Sequence, residues 1–280
     1  MSADTTTVTA DATAALATAV GATTWYHTIE LPGGITTPGF YDTPEIARRF
    51  SFPQSLAGKR CLDVGTANGF WAFEMERRGA EEVVAIDIDD PADYDWPHPV
   101  PENPVRPANT EVGPNRGFEI AHQALGSSVR RVVSSVYELP ELGEGKFDFV
   151  FMGALMLHLR DPVGALAAIR TVTGGEFMSA DSISLSTSLS HPISAAAVLR
   201  GAEEPRWWTP NLVAYRRMIR AGGFKIVEKG TPFFMPFGEG FPPLRAIGSV
   251  PPRELPAEIA FRVALRRLGA ASSWARCVPA

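Results

Sequence analysis

The chain predicts an α/β fold on a doubly wound, mostly parallel sheet, and three observations carry that prediction. Residues 59–78 (KRCLDVGTANGFWAFEMERR) run as a buried strand, a small-residue turn and an amphipathic helix in immediate succession. A second apolar strand, Val83 to Ile86, ends in Asp87, about twenty residues beyond the turn. Strand-like and helix-like patterns then alternate as far as residue 250.

The elements follow in chain order. The first twenty-two residues are rich in Ala and Thr, with Val8, Ala12, Leu16 and Val20 four apart, which predicts an amphipathic helix. Trp25 to Phe50 is dense in aromatics, glycine and proline, so it is no single regular element. Cys61, Leu62 and Val64 suit a strand buried on both faces, with Asp63 near its end. Gly65 and Gly69 bracket Thr66, Ala67 and Asn68, and glycine there permits positive φ and close approach of a ligand. In the helix that follows, Phe70, Trp71 and Phe73 face inward and Glu74, Glu76, Arg77 and Arg78 outward. The proline-rich stretch 91–114, with Tyr94, Trp96 and His98, reads as a long ordered loop before a helix over 116–125.

RRVVSSVY at 130–137 predicts the third strand and residues 147–153 the fourth. A helix follows over 163–172 with Pro162 in its first turn. Residues 174–182 supply a fifth strand, and a glycine-closed helix over 210–223 feeds another at 224–228. The apolar segment 231–243 is expected to help close a pocket. Residues 244–250 are read as an antiparallel final strand and 254–268 as a terminal helix. The expected organisation is a helix and cap over 1–50, a core over 51–250 and a helical tail over 251–280.

A chain of 280 residues with 45% apolar composition suits one core domain with additions. Net charge is −5 and no run of Lys or Arg occurs, so general attraction to nucleic acid phosphates is not expected. The two cysteines, Cys61 and Cys277, offer neither a disulfide framework nor zinc spacing. No charged-then-apolar leader and no membrane-length apolar run is present, so a cytoplasmic location without membrane attachment is expected. The glycines are not followed by a Lys-Ser/Thr pair, which argues against a triphosphate loop.

The glycine turn with the second-strand acid resembles the class I S-adenosylmethionine-dependent methyltransferases, although a glycine turn alone fits a dinucleotide oxidoreductase as well. The resemblance implies a Rossmann-like, seven-stranded core with S-adenosylmethionine as cofactor. It implies that Asp63 helps hold the methionine part and that Gly65, Thr66, Asn68 and Gly69 pass beneath it. Asp87, with Ile88 beside it, takes the ribose hydroxyls. Val136 and Tyr137 cup the adenine, and Met152 and Gly153 complete the cofactor set. Ala67 replaces the usual middle glycine, a departure of one methyl group. The Asp87, Asp89, Asp90 cluster has hard-cation chemistry, but ribose binding explains its position and no metal is assigned.

WYHxIxL from Trp25, FxGxxxLHLRDP from Phe151 and WWTPN from Trp207 resemble, over roughly residues 25–250, the tRNA wobble-uridine carboxymethyltransferase branch. That branch has a tyrosine before the histidine of the second motif, part of its recognition of a carboxylated cofactor; here the position is Leu157. An apolar side chain cannot donate a hydrogen bond to a carboxylate, so ordinary S-adenosylmethionine is expected.

The resemblance places the 25–50 segment as a substrate-covering cap. The acid charge and aromatic loops favour methylation of a small-molecule acceptor, in specialised metabolism. The alternatives are a tRNA-modifying alkyltransferase, and a cyclase or other cofactor-binding protein that transfers no methyl. A homo-oligomer is left open. His27, His158 and Asp181 are the candidates for removing a proton, each also readable as a structural hydrogen-bonding group. Trp25, Tyr26, Phe40, Tyr41, Trp207 and Trp208 are candidates for an aromatic enclosure attracting the sulfonium, each also readable as core. His122 and His191 are expected on the surface or in loops.

Overall fold

The computed structural model describes residues 10–90, 93–95, 115–200, 206–241 and 268–280. Its elements are helices α1 (Ala10–Gly21), α2 (Thr43–Arg48), α3 (Phe70–Arg77), α4 (Arg116–Leu125), α5 (Pro162–Val172), α6 (Leu185–Ser190) and α7 (Leu212–Ala221). The strands are β1 (Trp25–His27), β2 (Glu30–Leu31), β3 (Ile35–Thr36), β4 (Gly39–Tyr41), β5 (Arg60–Val64), β6 (Glu82–Asp87) and β7 (Arg130–Val133). They continue with β8 (Phe147–Gly153), β9 (Thr173–Ser182), β10 (Ala197–Leu199), β11 (Trp208–Pro210), β12 (Phe224–Lys229), β13 (Phe233–Met235) and β14 (Ala270–Pro279).

The sheet runs β12-β14-β9-β8-β5-β6-β7, with β13 added alongside β14. The pairs from β9 to β7 are parallel, and β14 is antiparallel to both its neighbours. This is the expected doubly wound sheet.

Period-two alternation divides the core. Cys61, Phe149, Phe151 and Met178 pack on one face with α1, α3, α4 and the cap. Leu62, Val64, Val150, Met152 and Phe177 pack on the other with α5 and α7. Helix starts follow the local chemistry. Asp161 accepts from the Gly164 amide at 2.8 Å ahead of Pro162, and Asn211 accepts from Ala214 at 2.8 Å. Register brings Val64 beside Ile86 and Met152, so the ends of β5, β6, β8 and β9 share one sheet edge.

Three expectations are corrected. The antiparallel strand between β9 and β12 is β14; residues 244–250, read as that final strand, lie outside the described residues, as does nearly all of the expected helix over 254–268. The C-terminal segment thus enters the sheet instead of forming a tail, and Cys277 is buried within it. The third strand stops at Val133, because Ser135 caps a 3₁₀ turn over Val136–Glu141, reciprocated by Glu138. The proline-rich stretch lies outside the described residues except for Asp93, Tyr94 and Asp95.

Candidate active site

The turn after β5 is built from consecutive residues. Gly65 (φ +76°), Ala67 (φ +46°) and Gly69 (φ +92°) are all left-handed, and a Cβ at Gly69 would lie 2.5 Å from the Phe73 ring. Ala67 accepts a conformation unusual for a side-chain-bearing residue, held by a 2.6 Å hydrogen bond from its amide to Asp87 Oδ2. Asp87 Oδ1 accepts from the Ile88 amide at 2.9 Å, and burial raises this carboxyl above its ordinary range.

Asp63 lies beneath the turn at 1% exposure, accepting from the Thr66 hydroxyl at 2.7 Å. Burial pushes its pKa up to about 7. Its carboxyl group therefore braces the turn from inside. Thr66 likewise turns its hydroxyl inward. The Asn68 side chain points to the strand β1, its oxygen accepting from the Tyr26 and His27 amides at 2.7 and 3.3 Å.

The rest of the expected cofactor set divides by face. Ile88 is half-buried beside Asp87, and Gly153 is half-buried at the end of β8. The Met152 side chain is sealed in the α5 face of the core. Val136 is also buried there. Tyr137 donates to Asp95 Oδ2 at 3.0 Å and accepts from the Asp161 amide at 3.2 Å.

The cap is assembled from separate segments. β1 pairs in parallel with β4, and Phe237 bridges to Tyr41 from the stretch after β13. Tyr26 stacks on Phe40 at 6.3 Å, Tyr41 on Phe237 at 5.4 Å, and Phe40 meets Phe241 edge-on at 4.9 Å. Burial raises the Tyr26 and Tyr41 hydroxyls, the latter to about 12; the charge of Asp181 reaches both, and that of Arg206 reaches Tyr41.

The candidate bases occupy different surroundings. His27 is buried between the Tyr26 and Phe70 rings, its Nδ1 has no hydrogen-bond partner among the described residues, and burial lowers its pKa to about 3. Asp181, 1% exposed, accepts from the Met156 and Ser182 amides at 2.8 Å each and is raised by burial to about 7. It braces the 3₁₀ turn Met156–His158, which leaves His158 half-buried at the sheet edge.

Three expected wall residues stand elsewhere. Trp25 is a core anchor whose indole donates to Val20 O at 3.0 Å. Trp207 donates to Asp95 O at 2.5 Å, in the segment after β6, and Trp208 of β11 donates to Arg160 O at 3.1 Å, in the loop after β8; among the described residues neither joins the cap cluster. Sequence reasoning did not single out Phe237 and Phe241; the only signal was the apolar character of 231–243. Among the described residues no group of three or more His, Cys, Asp or Glu is arranged to hold a metal, and no helix is long and apolar enough to cross a membrane.

Residues 41–229 match the model of a methyltransferase domain family. The tRNA U34 carboxymethyltransferase of Pseudomonas putida (strain GB-1) is 26% identical over 183 residues, covering 62% of this chain and 48% of the relative. The protein of the same name from Campylobacter hominis is 28% identical over 123 residues, covering 43% and 35%. The chain spans about half or less of the length of these relatives. Among solved structures, the 1,6-didemethyltoxoflavin-N1-methyltransferase of Burkholderia thailandensis, with bound 1,6-didemethyltoxoflavin and S-adenosylhomocysteine, superposes with TM-score 0.48 at 15% identity, covering 80% of this chain and 72% of that one. The magnesium protoporphyrin IX methyltransferase of Synechocystis PCC 6803 gives TM-score 0.45 at 13% identity, covering 80% and 76%.

Proposed function

The chain belongs to the methyltransferase domain family, and on that premise we propose that it transfers a methyl group from S-adenosylmethionine to a small planar acceptor held under the aromatic cap. The observation that carries the reading is the hydrogen bond by which Asn68, in the left-handed turn on Asp87, holds Tyr26 of the ring cluster formed with Phe40, Tyr41, Phe237 and Phe241.

The residues fit the cofactor. Each Asp87 oxygen accepts one backbone amide, and a carboxylate oxygen has capacity for a further hydrogen bond, so two ribose hydroxyls have acceptors waiting. The buried carboxyls of Asp63 and Asp87 oppose a phosphate but tolerate a neutral ribose and a sulfonium cation. When bound, S-adenosylmethionine supplies an electrophilic methyl group for in-line displacement.

The chain's own contribution is alignment and exclusion of water. Aromatic rings of the cap cover the acceptor side. His27, neutral well below physiological pH, has little proton affinity and suits orienting an acceptor through a hydrogen bond. His158, half-buried at the sheet edge, is the residue positioned to take a proton where an acceptor must lose one. Asp181 positions that loop.

Calorimetry with S-adenosylhomocysteine, followed by turnover with labelled S-adenosylmethionine and a small-molecule extract, tests the reading. S-Adenosylhomocysteine is expected in step with a methylated small molecule. His158→Ala should lose turnover with cofactor affinity intact; cofactor consumption with no methylated product would defeat the transfer reading in favour of a non-methylating one. A second reading, tRNA alkylation, is favoured by the names of the curated relatives. Tight, steeply salt-dependent retention of bulk tRNA on filters would support it over the first.

A further inference from the structure

Asn68 belongs to the glycine turn by sequence and to the cap by hydrogen bonding. Its side-chain oxygen accepts from two consecutive cap amides, Tyr26 at 2.7 Å and His27 at 3.3 Å, and two N–H donors at one atom identify that atom as oxygen. The residue before it, Ala67, is held left-handed by its amide bond to Asp87. On the other side, a Cβ at Gly117 would lie 2.3 Å from Asn68 Nδ2, so the carboxamide is wedged between the start of α4 and β1. At 4% exposure it has no room to turn away. A path of adjacent groups thus runs from the Asp87 carboxylate through Ala67 and Asn68 to the strand bearing Tyr26 and His27.

We infer that Asn68 is a positioning residue that ties the order of the acceptor-side cap to occupation of the crevice at Asp87. The inference rests on the cofactor reading above. A ligand whose ribose hydroxyls engage Asp87 immobilises the turn, and Asn68 passes that order to β1. The wall on which an acceptor docks is then firm only when the cofactor is in place, which favours cofactor binding first. By linkage, the same coupling makes an acceptor tighten the cofactor site.

The test is hydrogen exchange of the full chain with and without S-adenosylhomocysteine, whose binding is measured separately by calorimetry. In the wild-type chain the ligand should slow exchange across residues 25–31 by about tenfold, the effect of one hydrogen bond's worth of added local stability. Asn68→Ala should bind the ligand within about threefold of wild type while its ligand-induced slowing falls below about twofold. Asn68→Asp, which keeps an oxygen able to accept both amides, should recover the slowing. That recovery separates coupling from a merely structural role. If Asn68→Ala does not fold, Asn68→Ser takes its place, its hydroxyl being too short to reach both amides. Full slowing in the Ala or Ser variant, or none in the wild type despite measured binding, would overturn the inference. Absence of binding to the wild type would instead overturn the cofactor reading, and the inference with it.

Discussion

The turn and the cap bury polar groups to opposite ends. In the turn, Asp63 accepts from the Thr66 hydroxyl and each Asp87 oxygen accepts one neighbouring amide, and burial raises both carboxyls. In the cap, His27 is buried with Nδ1 unpartnered among the described residues, and burial lowers it. The turn is built by residues within about one strand-turn-strand unit. The cap draws on β1, β4 and the stretch holding Phe237 and Phe241, and it leaves His27 Nδ1 open among the described residues.

The harshest way to break this contrast is at the joint between the halves. Phe50 stacks on Phe151 at 6.1 Å and also meets Phe52, Trp71, Phe233 and Trp274. Phe50→Ala should cost about 3–5 kcal/mol of stability in one cooperative transition. Two separate thermal transitions would show instead that cap and sheet fold independently.

Opposite titrations sharpen it next. Between 3.8 and about 7, Asp63 is protonated in the folded chain and ionised in the unfolded one, so its contribution to stability falls as pH rises through that window. Between about 3 and 6.5, His27 is neutral when folded and charged when unfolded, so its contribution rises with pH. Asp63→Asn should therefore gain on wild type from pH 4 to 7, by on the order of 3 kcal/mol, and His27→Asn should gain as pH falls below 6.5. Melting temperatures across that range check both, and slopes of the same sign would contradict the contrast.

A smaller effect is expected at Asp87, the proposed ribose acid. Asp87→Ala should weaken S-adenosylhomocysteine binding by about 1–3 kcal/mol in calorimetry, and unchanged affinity would remove Asp87 from the site. Smallest of all, Trp208→Phe loses one peripheral hydrogen bond to Arg160. It should cost about 1 kcal/mol or less in thermal melts and leave cofactor affinity unchanged, since Trp208 lies outside the cap cluster.

The sequence by itself determined the alternating parallel core and the turn with its two acids. Those features rest on residues close in the chain, where apolar period, glycine and a strand-ending carboxylate are sufficient. It misread the C-terminal segment, because the small and polar residues of AASSWARCVP carry a weak strand pattern and become a strand through antiparallel pairing with β9 and β12. Tertiary structure alone decided which aromatics face one another, placing Phe237 and Phe241 with Tyr41 and Phe40 while sending Trp25 and Trp207 elsewhere. It also decided that Asn68 reaches across to Tyr26, a partner 42 residues away. Side-chain direction and long-range pairing depend on how elements dock, and no local pattern of residue types encodes that geometry.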